Sequence, residues 1–187
     1  MINDIFKVEL YKVKLNHIDN DKIVDYINEN IVKSLSYDTA GKSKDDKDVL
    51  SNEIFKDLNT EILNHLNTLF HKTSKLEYKL ILSQGWFNKG GDDLITDPHK
   101  HNDSMYSAVY YPLSIDGQIK FLNPANSLNY KLHTKHLKTY DKYNSENWTE
   151  PVRTGELIIF KSGMFHWALP SKYDRYSIAY NTEVVNA

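Results

Sequence analysis

The chain has 187 residues, of which 40% are hydrophobic and 26% charged, and its formal net charge is -2. This length and composition predict a single globular domain over residues 1–187, because two domains would be cramped. The charge argues against nucleic-acid or membrane binding that depends on a general excess of Lys and Arg, and leaves open a local basic patch. There are no cysteines. Disulfides, thiolate zinc sites and cysteine nucleophiles are therefore excluded, and a metal would need His and carboxylate ligands.

The N-terminal residues alternate charged and apolar side chains and lack the hydrophobic run of a signal peptide. No window approaches the roughly 18 apolar residues of a membrane span. The absence of cysteine fits a reducing compartment. These features favour a cytoplasmic location without a membrane partner.

The first part of the chain is predicted to be mainly helical. Residues 5–15 alternate like a half-buried strand, and residues 19–35 follow with helix-capping side chains at their start. Residues 36–48 form a polar, charge-dense loop, and residues 51–72 carry the clearest helical pattern. The predicted apolar stripe of that helix consists of Ile54, Leu58, Ile62, Leu66 and Leu69.

The pattern changes to short strands near residue 76. Six runs rich in Ile, Val, Tyr and Phe are separated by Gly, Pro, Asn and Asp, which is typical of a sandwich or barrel. Helices followed by strands predict an α+β fold, in which residues 1–75 supply supporting helices on one sheet and residues 76–187 form the β core. The polar segment 124–150 is predicted to be a long loop with a functional or mobile role.

The sequence "HND" offers a candidate metal-binding pair, His101 and Asp103. Two residues apart on an extended backbone, both side chains point to the same face and can share a cation. A second, distant His would complete the 2-His-1-carboxylate arrangement that binds non-haem Fe(II). The pair alone is a weak signal, since His17 and Asp19 repeat it where helix capping explains it.

The C-terminal strands supply possible partners for this pair. His166 lies on one predicted strand, with Arg175 and Ser177 on the next. If the chain turns at "PSKYD", the two strands pair antiparallel and Arg175 comes near His166. Arg175 and Ser177 then face the same side, where a guanidinium and a hydroxyl suit a carboxylate ligand.

These motifs together resemble the 2-oxoglutarate- and Fe(II)-dependent dioxygenases, in particular the small bacterial and phage oxygenases of prolyl-hydroxylase type. The matching elements are "HND", "GELIIFKSGMFH" at 155–166, and "R-Y-S" at 175–177 followed by Asn181. The resemblance runs from about residue 80 to the end of the chain. It implies a double-stranded β-helix, a cupin-like jelly roll, with the N-terminal helices packed on one sheet.

The resemblance implies that His101, Asp103 and His166 are the catalytic Fe(II) ligands. Some relatives carry His-x-His without an acid at the position of Asp103. His99 and His101 therefore remain an alternative first pair, while His101 and His166 are ligands in both assignments.

The resemblance also implies that Arg175 binds the far carboxylate of the co-substrate 2-oxoglutarate, beside Ser177. Tyr111 is expected either to hydrogen-bond this carboxylate or to be a core residue. With O2, 2-oxoglutarate would be converted to succinate and CO2 while a substrate C–H bond is hydroxylated, and ascorbate is expected to support the reaction. The substrate would be a prolyl or other peptide side chain, or a small molecule.

Other residues have both functional and structural interpretations. Trp86 and Asn88 alternate on one strand face, which places them on a pocket wall or Trp86 in the core. His133 and His136 are interpreted as polar loop residues rather than a second metal site. Possible substrate contacts from the long loop, or solvated residues, are Tyr106, Tyr130, Lys131, Tyr140 and Tyr143.

Two other functional classes compete with the oxygenase. A non-catalytic jelly-roll module would bind a ligand or a protein, and would have no reason to assemble His101, Asp103 and His166 around one ion. A zinc hydrolase would need a distinct general base and leaves Arg175 unexplained. The sequence therefore favours the dioxygenase.

Overall fold

The N-terminal half supplies helices and two short strands. The computed structural model describes residues 8–32, 41–45, 48–74, 77–91, 95–124, 138–139, 141 and 144–187. The first elements are β1 (Leu10–Lys14), α1 (Asn20–Asn30), β2 (Gly41–Lys42), α2 (Asp48–Ser51), a 3-10 turn (Glu53–Phe55) and α3 (Lys56–Ser74).

The C-terminal half consists of strands. They are β3 (Tyr78–Gly90), β4 (Tyr106–Leu113), β5 (Gln118–Leu122), β6 (Asn147–Pro151), β7 (Glu156–Lys161), β8 (His166–Ala168) and β9 (Arg175–Asn186). All their pairings are antiparallel, as expected for strands that alternate with turns.

The strands form two facing sheets. The larger sheet has the order β1-β7-β4-β9-β3-β2, and the smaller has the order β6-β5-β8. Phe121 of the smaller sheet packs against Phe160 of the larger one, with ring centroids 5.0 Å apart. The helices cover the outer face of the larger sheet, where a second hydrophobic core lies. The α+β arrangement with helices on one sheet is confirmed.

The helices follow the predicted amphipathic pattern with one shift. Asp19 caps α1 as expected, and its carboxylate accepts a hydrogen bond from Lys22 N at 3.2 Å. In α3 the buried stripe ends on Phe70 rather than on Leu69, which is only partly buried. No helix within the described ranges is long and apolar enough to cross a membrane.

The central strands are buried on both faces. Alternate residues of β4, such as Ala108 and Tyr110, face the helices, while Val109 and Tyr111 face the smaller sheet. Both sets are buried, and for this reason the sequence of β4 is a nearly continuous apolar run and does not alternate between polar and apolar residues.

Three details differ from the predictions. The predicted hairpin of β8 and β9 is wrong, because β8 pairs with β5 and β9 pairs with β3 and β4. The segment between them crosses from one sheet to the other. Strands β2 and β6 lie in segments predicted as loops; both are edge strands, and the largely exposed β6 ends in Pro151.

Truncation of a core residue on α3 tests the packing of the helices on the larger sheet. Leu66 is fully buried, so Leu66→Ala should lower the free energy of unfolding by about 2–5 kcal/mol. Leu122→Ala is the control, because that side chain is 36% exposed and its loss should cost less than about 1 kcal/mol. Urea unfolding followed by circular dichroism measures both, and equal losses would contradict the packing.

Candidate metal centre and cavity

Three histidines converge at one point between the sheets. One ring nitrogen from each of His99, His101 and His166 lies within 4.8 Å of the others. A backbone bridge fixes two of them: His99 N donates to His166 O at 3.1 Å, and His166 N donates to His99 O at 2.9 Å. His101 N donates to Ser162 O at 2.9 Å. The segment 99–101 is thus anchored along its length, and both of its histidines reach His166.

Backbone carbonyls orient two of these rings. His99 Nδ1 lies 2.7 Å from Asp97 O, and His166 Nδ1 lies 2.9 Å from Met164 O. A carbonyl can only accept, so each Nδ1 carries the proton and donates it. The lone pair is then on Nε2 of both rings, which is the form that binds a metal ion.

Burial keeps two of the rings neutral. Desolvation, with a smaller contribution from neighbouring His99, lowers the pKa of His101 from 6.5 to about 4. Burial is also the main cause that lowers the pKa of His166 to about 4. Both imidazoles are uncharged at neutral pH, as metal binding requires.

Asp103 lies outside this group of histidines. The extended backbone predicted for residues 101–103 is wrong, because residues 102 and 103 form a turn and the Asp103 side chain is exposed. The extended segment lies two residues earlier, so His99 and His101 are the pair that share a face. The sequence offers His99 only as an alternative ligand, and the pattern that indicates it is the His-x-His spacing of residues 99–101.

A cavity of about 610 Å³ connects this group to the other predicted site residues. It is lined by the three histidines and by Tyr111, Arg175 and Ser177. Trp86 and Asn88 also line it, as the pocket-wall interpretation predicted, and the Trp86 ring lies 5.8 Å from that of His101.

Arg175 is a buried cation in this cavity. It is 5% exposed, and its Nη1 donates to Leu169 O at 2.5 Å. Two glycines leave room for this side chain, because a Cβ on Gly90 would lie 2.7 Å from Nη2 and one on Gly117 would lie 2.9 Å from Cδ, so that Arg175 would have to shift. In the part of the chain that the structure describes, no carboxylate forms an ion pair with it within 4.0 Å.

Electrostatics favour an anion near this guanidinium. Burial lowers the pKa of Arg175, against the opposing influence of Tyr111 and Asp116. Burial also raises the pKa of Tyr111, so its phenol keeps its proton and can donate a hydrogen bond. A buried charge without a partner is costly, and an anionic ligand would remove that cost.

Among the remaining predicted candidates, the structure describes only Tyr106, which lies outside the site. Tyr106 is buried on β4, and its hydroxyl lies 2.8 Å from Thr73 Oγ1 on α3, so its assignment to the loop is wrong. The other candidates of the long loop lie outside the described residues, namely Tyr130, Lys131, His133, His136, Tyr140 and Tyr143.

Comparison with protein families gives one match. A family model described as "Putative 2OG-Fe(II) oxygenase" matches residues 84–181, which include the three histidines, Tyr111, Arg175 and Asn181. Comparison of the sequence with curated proteins gave no match.

Several solved structures have a similar fold. A prolyl-4-hydroxylase from Pseudomonas putida has a TM-score of 0.61 at 14% identity, over 94% of this chain and 92% of the other. HygX from Streptomyces hygroscopicus, with nickel and 2-oxoglutarate bound, has a TM-score of 0.62 at 12% identity, over 94% and 81%.

A third similar structure is the alpha-ketoglutarate-dependent epimerase SnoN from nogalamycin biosynthesis. Its TM-score is 0.62 at 14% identity, over 94% of this chain and 78% of the other. The likeness to these structures confirms the double-stranded β-helix fold.

The lowered pKa values predict how the stability of the metal-free protein depends on pH. His166 titrates near 6.5 when unfolded and near 4 when folded, so between these values the unfolded state binds more protons. Stability should therefore fall as the pH falls through this window. Thermal unfolding at a series of pH values measures it. His166→Asn should flatten the decline, and an equal decline in both proteins would contradict the assigned shift.

Proposed function

Because the chain belongs to the 2OG-Fe(II) oxygenase family, we propose that it is a 2-oxoglutarate-dependent dioxygenase whose metal ligands are His99, His101 and His166. One observation carries the proposal. A group of converging imidazoles shares a cavity with Arg175, a buried cation that lacks an ion-pair partner among the described residues. Such a cavity suits a metal ion together with an anion.

The donor set fits Fe(II). Imidazole nitrogen is a ligand for iron, and His99, His101 and His166 would hold the ion while leaving it accessible to co-substrate and O2. His99 replaces the expected Asp103 in this proposal. The ligands then carry no negative charge, so an anionic co-substrate would supply the charge that balances the metal.

Arg175 would hold the far carboxylate of 2-oxoglutarate. Its guanidinium can bind a carboxylate with two parallel hydrogen bonds. The Tyr111 phenol, which stays protonated, would donate a further bond, and Ser177 on the same face of β9 offers a hydroxyl. These residues orient the co-substrate within the space between the sheets.

The reaction proposed is hydroxylation of a C–H bond. Bound Fe(II) and 2-oxoglutarate supply oxidising chemistry with O2, in which one oxygen atom enters the substrate and the other enters succinate as CO2 is released. Trp86 and Asn88 form a cavity wall of mixed character near the histidines, on which a peptide side chain, such as a prolyl group, or a small molecule would lie.

The third iron ligand is tested by comparing two variants. His99→Ala should abolish stoichiometric binding of Fe(II), while Asp103→Ala should leave its affinity unchanged, because only His99 lies with the other two rings. Anaerobic calorimetric titration with Fe(II) measures both. The reverse result would restore Asp103 as the ligand.

The anion site is tested by removing the guanidinium. Arg175→Ala should raise the KM for 2-oxoglutarate at least about 100-fold, since loss of a buried charge-assisted pair costs about 3–5 kcal/mol, and succinate release measures turnover. Arg153→Ala is the matched control. Arg153 is the only other arginine of the chain, is exposed, and lies outside the cavity lining.

A wild-type protein that binds 2-oxoglutarate with Fe(II) but never releases succinate would instead indicate a binding module.

A further inference from the structure

A chain of polar side chains connects His101 to the interior of the larger sheet. Asn181 on β9 lies opposite Gln84 on β3 and opposite Ser107 on β4, so the three form one cross-strand row. Beyond Ser107 the contacts continue to Ser162 and then to Ser104. We call Asn181, Ser107, Ser162 and Ser104 the polar relay.

The contacts of the relay are close. Ser107 Oγ lies 2.9 Å from Ser162 Oγ, which lies 2.9 Å from Ser104 Oγ, and Ser104 Oγ lies 2.8 Å from Tyr106 O. At the other end, the structure places Oδ1 of Asn181 3.2 Å from Ser107 Oγ. It places Nδ2 of the same amide 2.7 Å from Gln84 Oε1 and 3.4 Å from His101 Nδ1.

Counting protons decides which way the Asn181 amide points. If its oxygen Oδ1 faces Ser107, the relay from that oxygen to Tyr106 O has four contacts. Both ends can only accept, and the three serine hydroxyls supply one proton each. One of the four contacts would then have no proton, which is costly for buried groups.

The opposite orientation supplies a proton to each of these four contacts. If Nδ2 of Asn181 faces Ser107, it donates to Ser107, and Ser107 donates to Ser162. Ser162 then donates to Ser104, and Ser104 donates to Tyr106 O. The oxygen and nitrogen of an amide are distinguished by such networks. Oδ1 of Asn181 then faces His101 Nδ1, and Gln84 turns its own amide to donate to the same oxygen.

This orientation determines the proton on His101. An oxygen beside Nδ1 requires Nδ1 to carry the proton, so the lone pair is on Nε2. Backbone carbonyls impose the same tautomer on His99 and His166. With the amide nitrogen facing Nδ1 instead, His101 alone would carry its proton on Nε2 and would not present a lone pair there.

We propose that Asn181 is the positioning residue that holds His101 as a metal ligand through Nε2, with the polar relay fixing the direction of its amide. The metal-binding part rests on the proposed function. The tautomer of His101 does not, because it follows from the metal-free protein.

The first experiment reads the tautomer directly. In metal-free protein labelled with 15N in histidine, the nitrogen shifts at neutral pH should show His101 protonated on Nδ1. His101→Gln assigns the signal by its loss. A wild-type signal protonated on Nε2 would overturn the proposal, whether or not the protein binds iron.

The second experiment compares substitutions at Asn181. Asn181→Leu should weaken Co(II) binding about 10–100-fold, as measured by titration, since loss of such a partner typically has this effect. Asn181→Asp keeps an oxygen beside Nδ1 but cannot donate to Ser107. It should therefore retain Co(II) affinity and lose thermal stability.

Ser114→Ala is the control for loss of a buried hydroxyl. Ser114 Oγ donates to Val152 O outside the relay, so Co(II) affinity should not change. Equal weakening in Asn181→Asp and Asn181→Leu would overturn the role of the oxygen. If wild type shows the Nδ1 tautomer but binds no metal, the proposed function fails while the role of Asn181 in setting the tautomer stands.

Discussion

The pairing of β9 between β3 and β4 is the constraint on which the site depends. Because side chains alternate along a strand, one face of β9 carries Arg175, Ser177 and Asn181, of which Arg175 and Ser177 line the cavity. The other face presents Tyr176 and Tyr180 to the helices. A slip of one residue would exchange the two sets, placing Arg175 against the helices and phenol rings in the cavity. The register of one strand thus determines which side chains enter the two cores and which form the proposed anion site.

The helices help to fix that register through polar contacts in an apolar layer. Tyr176 donates to Asn28 on α1 at 2.6 Å, and Tyr180 donates to Asn59 on α3 at 2.9 Å. A buried phenol needs a partner, so each contact ties one helix to one position of β9. The N-terminal elements, which carry no ligand of the proposed metal site, therefore hold the strand that bears Arg175. This explains why a cavity between the sheets depends on helices outside them.

Much of this arrangement could be predicted from sequence, because burial leaves a periodic pattern. The capped α1, the stripe of α3 and the short strands all follow from local spacing, and His101, His166 and Arg175 stood out as candidates through their combination of chemistry. The path of the backbone near residue 100 was not predictable. His99 and Asp103 each lie two positions from His101 in the sequence, so spacing alone does not tell which of them faces the same side as His101. Two features of the structure distinguish them: the bridge from His99 to His166, a contact across 67 positions, and the turn at residues 102 and 103.

The histidine group and Arg175 have a joint consequence for binding. In the proposed enzyme, imidazole ligands supply no negative charge to balance a divalent metal, and the guanidinium has no ion-pair partner in the described chain. The metal ion and the guanidinium are both positive, and in a cavity of low dielectric they would repel each other until an anion binds. A dicarboxylate that reaches both would neutralise the two charges together. Metal and co-substrate binding are then linked, so that each strengthens the other by the same factor. A carboxylate ligand in place of His99 would weaken this linkage, because it would balance the metal beforehand.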